Sequence, residues 1–222
     1  MMQNTEVFII GGGSSLQGFN FSKLEDKDTI AVNMSALDVP NPTYCITADS
    51  NIFRKVQEGY FKEIETTWVL VTNPNHCTMK WQDGKFKNIK NDFVYNLFCM
   101  NMVIRNAGVE GIGFSFSDFK TGYNSGFCGF QLAVLLGYKK IYLLGFDLVS
   151  GSQCHYHSRY NKGKRTISND TFKRFYDNFV LALKEIKEKT DIEVFSCSNI
   201  SRLSKIIPYI PLGNITKEER TC

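Results

Sequence analysis

The chain contains no apolar run approaching the roughly 18 residues that a membrane-spanning helix needs. Met1 to Glu6 also lack the basic, apolar and small-residue succession of a signal peptide, so a cytoplasmic protein is expected. Its seven cysteines include no Cys-x-x-Cys pair, which removes the usual signature of a structural zinc site or a dithiol redox centre. The odd cysteine count, with several inside apolar runs, points to reduced, buried thiols. Glycine turns are present, but none is followed by Lys-Ser/Thr, which excludes a Walker A loop, and none carries the third glycine of a dinucleotide fingerprint. A net charge of +4 is spread over scattered lysines and arginines with no basic stripe, so nucleic acid is not the indicated partner. Repeats and low-complexity tracts are absent as well, and histidine is scarce at three residues.

With 222 residues, 43% of them hydrophobic and 22% charged, the chain can bury one substantial core. Val7–Ile10, Thr29–Val32, Tyr44–Thr47, Thr66–Thr72 and Ile141–Leu144 are short apolar runs, as expected for parallel strands buried on both faces. Helical patterns lie between several of them. The expected fold is α/β: a Rossmann-like, mostly parallel sheet with helices on both faces. A single domain over 1–222 is expected, with an insertion at about 76–111 where no clean period is visible. That insertion reads as a lid or acceptor-facing loop with a short helix, or as a segment packed under the sheet. Asp191–Phe195 is expected as the last strand, and the Phe172, Phe175, Phe179, Leu183, Ile186 stripe as helix core rather than a cofactor box.

Polar residues recur at the carboxyl ends of the strands, where open α/β sheets bind ligands. Gly11, Gly12 and Gly13 with Ser15 follow the first strand, either as an approach for a phosphate or as a tight connection. Asn33 ends the second, as a reader of base or ribose or as a cap, and Asp49 ends the third. Asn124, Ser125 and Gly126 open a buried helix, where they can cap it or grip an anion. Asp147 ends the strand after that helix. Downstream, His155 and His157 flank Tyr156 and share a side of an extended segment, so either can serve as general base. Two histidines without a third ligand at a recognisable spacing do not make a metal site, and none is assigned. Arg159 and the neighbouring Lys162, Lys164 and Arg165 can hold phosphate or form a solvated loop.

The glycine turn with Ser15-Leu16, Asn33 after a strand, Asn124-Ser125-Gly126 and the run from Leu136 to Asp147 occur in one order with the later His-Tyr loop. That order resembles the bacterial sialyltransferases of glycosyltransferase family 42. It also resembles the wider Rossmann-like group that holds the Maf glycosyltransferases and a hydroxymethyldihydropterin diphosphokinase. The family pattern has other residues where this chain carries Gly12, Ser14, Gly122 and Val149. The resemblance implies a nucleotide held by the glycine turn, Asn33 and Ser125, and a histidine of the 155–157 loop as base. Tyr156 or Tyr160 would then supply a phosphate contact. The expected activity is transfer of a sugar from a CMP-linked donor to an acceptor hydroxyl, with no cofactor required and a homo-oligomer open. The alternatives are a diphosphokinase with magnesium on Asp49 and Asp147, a non-catalytic nucleotide-binding protein, and a serine hydrolase built on Ser125, Asp147 and His155.

Overall fold

The computed structural model describes residues 5–72, 79–82, 85–88, 94–95, 100–149, 155–159 and 167–214; within 79–95 only the backbone is considered. In chain order the elements are β1 (Glu6–Ile10), β2 (Thr29–Val32), β3 (Tyr44–Thr47), α1 (Ser50–Gln57) and β4 (Thr67–Thr72). Next come β5 (Met79–Gln82), β6 (Lys85–Asn88), β7 (Val94–Tyr95) and β8 (Met102–Arg105). The chain continues with α2 (Ser125–Leu135), β9 (Lys140–Leu144), α3 (Asn169–Lys189) and β10 (Glu193–Ser196), with short 3-10 turns between.

Seven strands form one sheet in the order β10-β9-β1-β2-β3-β4-β8, and every pairing in it is parallel. The expected α/β, Rossmann-like architecture is therefore the observed one. Alternation along β1 shows why its sequence is apolar throughout. Val7 and Ile9 enter the core beneath α2 and α3, while Phe8 and Ile10 enter the opposite core, which α1 helps to close. On that second side the rings of Phe8, Tyr142 and Phe195 stack across three neighbouring strands, with centroids 4.6 and 5.1 Å apart. Ser35 Oγ accepts the Val32 N–H at 2.8 Å and lies 2.8 Å from Ile10 O, stitching the ends of β1 and β2.

The expected insertion is narrower in the structure. Met102–Arg105 lies inside the span 76–111, yet it pairs in parallel with β4 and forms the sheet's edge, while Gly111–Phe116 makes no strand. The pattern was hard to see because β8 is half-exposed, with Val103 42% open to solvent. The described part of the insertion is a small antiparallel sheet, β5-β6-β7, rather than a short helix. Among the described residues no helix is long and apolar enough to cross a membrane.

Helix α2 is apolar on nearly every side because sheet and α3 both cover it. Phe127 and Phe130 meet Phe179 of α3 at 5.1 and 5.5 Å between ring centroids, and Phe146 approaches the same ring at 6.0 Å. Phe179 is fully buried at the centre of this aromatic cluster. Phe179→Ala is expected to lower stability by about 3–5 kcal/mol, through lost transfer energy plus a cavity, measured as a reduced urea midpoint with unchanged slope.

Candidate functional site

Successive strands from β1 onward run to one side of the sheet, and β9 and β10 lie on the other, so the chain's direction of winding reverses between β1 and β9. The carboxyl ends of these two strands border a cleft of about 830 Å³. At its floor, Gly11 N–H donates to Leu144 O and Gly13 N–H to Gly145 O, both at 2.8 Å. A Cβ on Gly13 would lie 2.6 Å from Gly145 O and from the Asp147 carboxylate, so glycine there lets one turn pack against the other. Asp147, 4% exposed, accepts the Ser15 N–H at 2.9 Å and the Ser15 hydroxyl at 2.5 Å, with Ser14 Oγ at 3.3 Å. Ser15 and Asp147, expected to meet a nucleotide, are thus spent on each other. Gly12 lines the cleft, and no backbone bond from its N–H occurs among the described residues.

The remaining expected residues converge on the same cleft. Asn33 is left-handed, at φ 57°, a conformation asparagine tolerates. It does not cap the following 3-10 turn, and its Oδ1 is buried without a hydrogen-bond partner among the described residues. Asp49 caps α1 by accepting the Asn51 N–H at 2.8 Å. Asn124 caps α2 through the Phe127 N–H at 2.8 Å, and the Ser125 hydroxyl accepts the Ala48 N–H at 3.0 Å. Ser125 and Gly126, the first residues of α2, line the cleft, where the helix dipole favours negative charge.

His155 and His157 do face the same way, their rings parallel within 9° and 5.8 Å apart, but only His155 is in the cleft lining. Its Nδ1 is 3.3 Å from Gly12 O, and the tautomer that donates this bond carries its lone pair on Nε2. Burial holds the His155 pKa below its ordinary 6.5 against the raising effect of the Gly12 carbonyl, so the neutral imidazole prevails at pH 7. Tyr156 and Arg159 do not line the cleft. The Tyr156 hydroxyl donates to Asp38 at 2.7 Å, and the Arg159 guanidinium grips both Asp38 oxygens, one at 2.6 Å. With the Tyr156 N–H on Gly12 O at 3.0 Å, these bonds strap the 155–159 segment down and place His155. The phosphate contact expected from Tyr156 and Arg159 is replaced by this strap, and Tyr160 lies outside the described residues.

Sequence reading missed Asp38, which no spacing singles out beside Val39 and Pro40. It also missed Thr121, Tyr123 and Leu148 in the cleft wall, and took Phe172 and Phe175 for core alone, although both border the cleft. A Ser125-Asp147-His155 triad is not formed, because Asp147 is held by Ser14 and Ser15 and His155 Nδ1 by Gly12 O. Among the described residues no group of three or more His, Cys, Asp or Glu is placed to hold a metal ion.

No protein-family model matches the sequence, and no curated protein does. Solved structures do match the fold. The sialyltransferase CstII from Campylobacter jejuni, in complex with the substrate analogue cytidine-5'-monophosphate, aligns with a TM-score of 0.51 at 16% identity, over 96% of this chain and 87% of that one. The same enzyme with a trisaccharide acceptor and CMP gives 0.54 at 16% identity, over 96% and 88%. This chain shares the fold of these solved structures. The Maf glycosyltransferase from Magnetospirillum magneticum AMB-1 matches with a TM-score of 0.55 at 14% identity; the alignment covers 98% of this chain but 35% of that one. At these identities the likeness is one of fold.

Acid should loosen the strap in two stages. Burial first, then the charges of Arg159 and His155, lowers the His157 pKa to about 4. Across pH 6.5 to 4 the unfolded chain therefore binds more protons, and stability falls as pH falls. Burial alone would raise the Asp38 pKa, but hydrogen bonds from Arg159 and Tyr156 outweigh it and hold the carboxyl below its ordinary range. Its contribution is present above that range and disappears at still lower pH. Urea unfolding from pH 7 to 4 should give a shallower decline for His157→Asn than for the wild type. Asp38→Asn should cost about 1–3 kcal/mol at pH 7. Parallel pH profiles would contradict the assignment.

Proposed function

We propose that the protein is a glycosyltransferase that holds a nucleotide sugar, CMP-linked, in the cleft between β1 and β9 and passes the sugar to an acceptor hydroxyl. The observation that carries this reading is Asn33: a left-handed residue at a strand's carboxyl end, lining the cleft, with a buried carbonyl oxygen that has no partner among the described residues. Such an atom costs about 1–3 kcal/mol when unsatisfied. An exocyclic amino group of a base, or a ribose hydroxyl, would satisfy it. Solved structures of the same fold that hold CMP support the choice of nucleotide.

The chemistry follows from the neighbours. The acceptor oxygen attacks the anomeric carbon while the bond from that carbon to the phosphate oxygen breaks, and CMP leaves with the electron pair. His155 takes the acceptor proton on Nε2, with Nδ1 oriented by Gly12 O. The Gly12 amide and the first turn of α2 face the charge that develops on the leaving phosphate. Magnesium is not required in this scheme. Diphosphoryl transfer would need carboxylates free for the ion, whereas Asp147 is committed to Ser14 and Ser15 and Asp49 caps α1.

CMP should raise the melting midpoint without magnesium, and Asn33→Ala should remove most of that rise. Stabilisation by ATP with magnesium alone would support the diphosphokinase instead, and binding without slow hydrolysis of a CMP-sugar would indicate a non-catalytic protein. With a donor in hand, kcat/KM should hold level through neutral pH and fall only at a pH lower than an ordinary imidazole would give, because burial lowers the pKa of the His155 base. His155→Asn should reduce turnover by about 100-fold or more while leaving CMP binding near the wild-type value.

A further inference from the structure

The wall of the cleft just before α2 carries features that the donor reading does not use. Gly122 and Tyr123 are both left-handed, at φ 53° and 67°. That conformation is unfavourable for a bulky aromatic residue, and it persists only where surrounding bonds dictate it. Here they do: Thr121 N–H donates to Gly108 O at 3.1 Å, Gly122 N–H to Val109 O at 3.0 Å, and Asn124 N–H to Thr121 O at 3.1 Å. The strained residue is not used for packing, since Tyr123 is 37% exposed and lines the cleft. Its ring is nevertheless held in one orientation. The hydroxyl donates to Glu110 at 3.0 Å, and the Arg174 guanidinium lies 5.5 Å from the ring centroid. Two residues away, Thr121 is 3% exposed and also lines the cleft, and its hydroxyl has no hydrogen-bond partner among the described residues.

We propose that Thr121, Tyr123, Glu110 and Arg174 form a second subsite that receives a sugar ring of the acceptor, with Tyr123 as its platform. The chemistry selects this ligand class. An aromatic face with a carboxylate and a guanidinium beside it suits a ring with an apolar C–H face and a rim of hydroxyls. An alkyl chain laid there would strip water from Glu110 and Arg174 with nothing returned. The Thr121 hydroxyl gives a sugar hydroxyl a partner inside the wall. This inference rests on the transferase reading for its purpose, but its residues are separate from Asn33 and His155.

The test is a glycan array probed with the CMP-saturated protein, run beside melting midpoints with and without CMP. Wild type should retain a defined set of glycans. Tyr123→Gly, which suits the left-handed backbone, should lose that binding by about tenfold or more while melting no lower than wild type. Tyr123→Phe keeps the ring and should retain most binding, and Thr121→Val should weaken it. The stabilisation by CMP should be the same in all of them. Equal glycan binding by Tyr123→Gly and wild type, or no glycan retained by wild type, overturns the proposal. CMP stabilisation without glycan capture would leave the donor reading standing while this subsite fell. Glycan capture lost in Tyr123→Gly without any CMP stabilisation would do the reverse.

Discussion

The contact on which the site depends is the clasp between the Ser14-Ser15 turn and Asp147. Their hydrogen bonds join chain segments 132 and 133 residues apart, just beyond the carboxyl ends of two parallel strands. Strands β1 and β9 would hold register without it, through pairings such as Ile9 with Leu143. The turns beyond them would not be fixed, because a parallel ladder ends where the strands end. The buried carboxylate, with donors from backbone and hydroxyls, turns two loose ends into a floor. Glycines at 11 and 13 are what allow the two turns to come that close.

Around that floor the molecule keeps features that an ordinary core eliminates. Of the four left-handed non-glycine residues among those described, Asn33, Tyr123 and Leu148 line the cleft. Of five buried side-chain polar atoms without a partner among the described residues, two, on Asn33 and Thr121, belong to residues of its wall. Backbone strain costs stability, and the gathering of three of the four left-handed residues in one cleft is the physical mark of a surface shaped for something other than folding. The rest of the sheet shows the opposite habit, with strands buried on both faces and aromatic rings stacked from strand to strand.

The sequence made much of this legible because parallel strands buried on two sides are continuous apolar runs, and helix ends carry caps. Asn124 before α2, Ser168 before α3 and Gly137 after α2 play the roles their residue types suggest. The half-exposed edge strand β8 escaped notice because its alternation is weak. Roles were harder to read than positions. Asp147 lines the cleft and Arg159 does not, and whether a charged group faces a ligand or another side chain depends on partners more than 100 residues away. For Arg159 that partner is Asp38, and for Asp147 it is the Ser14-Ser15 turn. The left-handed backbone at Tyr123 leaves no trace in residue type, because tyrosine is nearly the last choice for it.

The strand order also bears on how the chain emerges during synthesis. β1 is an interior strand of the sheet, yet one of its two neighbours, β9, is encoded about 130 residues later. At roughly 5–20 residues per second, a nascent chain would carry β1 with one open edge for on the order of ten seconds. During that interval β1 to β4 can pair among themselves, but the apolar row of Val7 to Ile10 has no lateral partner on the other side. A nascent chain of this design is an early candidate for chaperone attention, and the cleft exists only once β9 has docked.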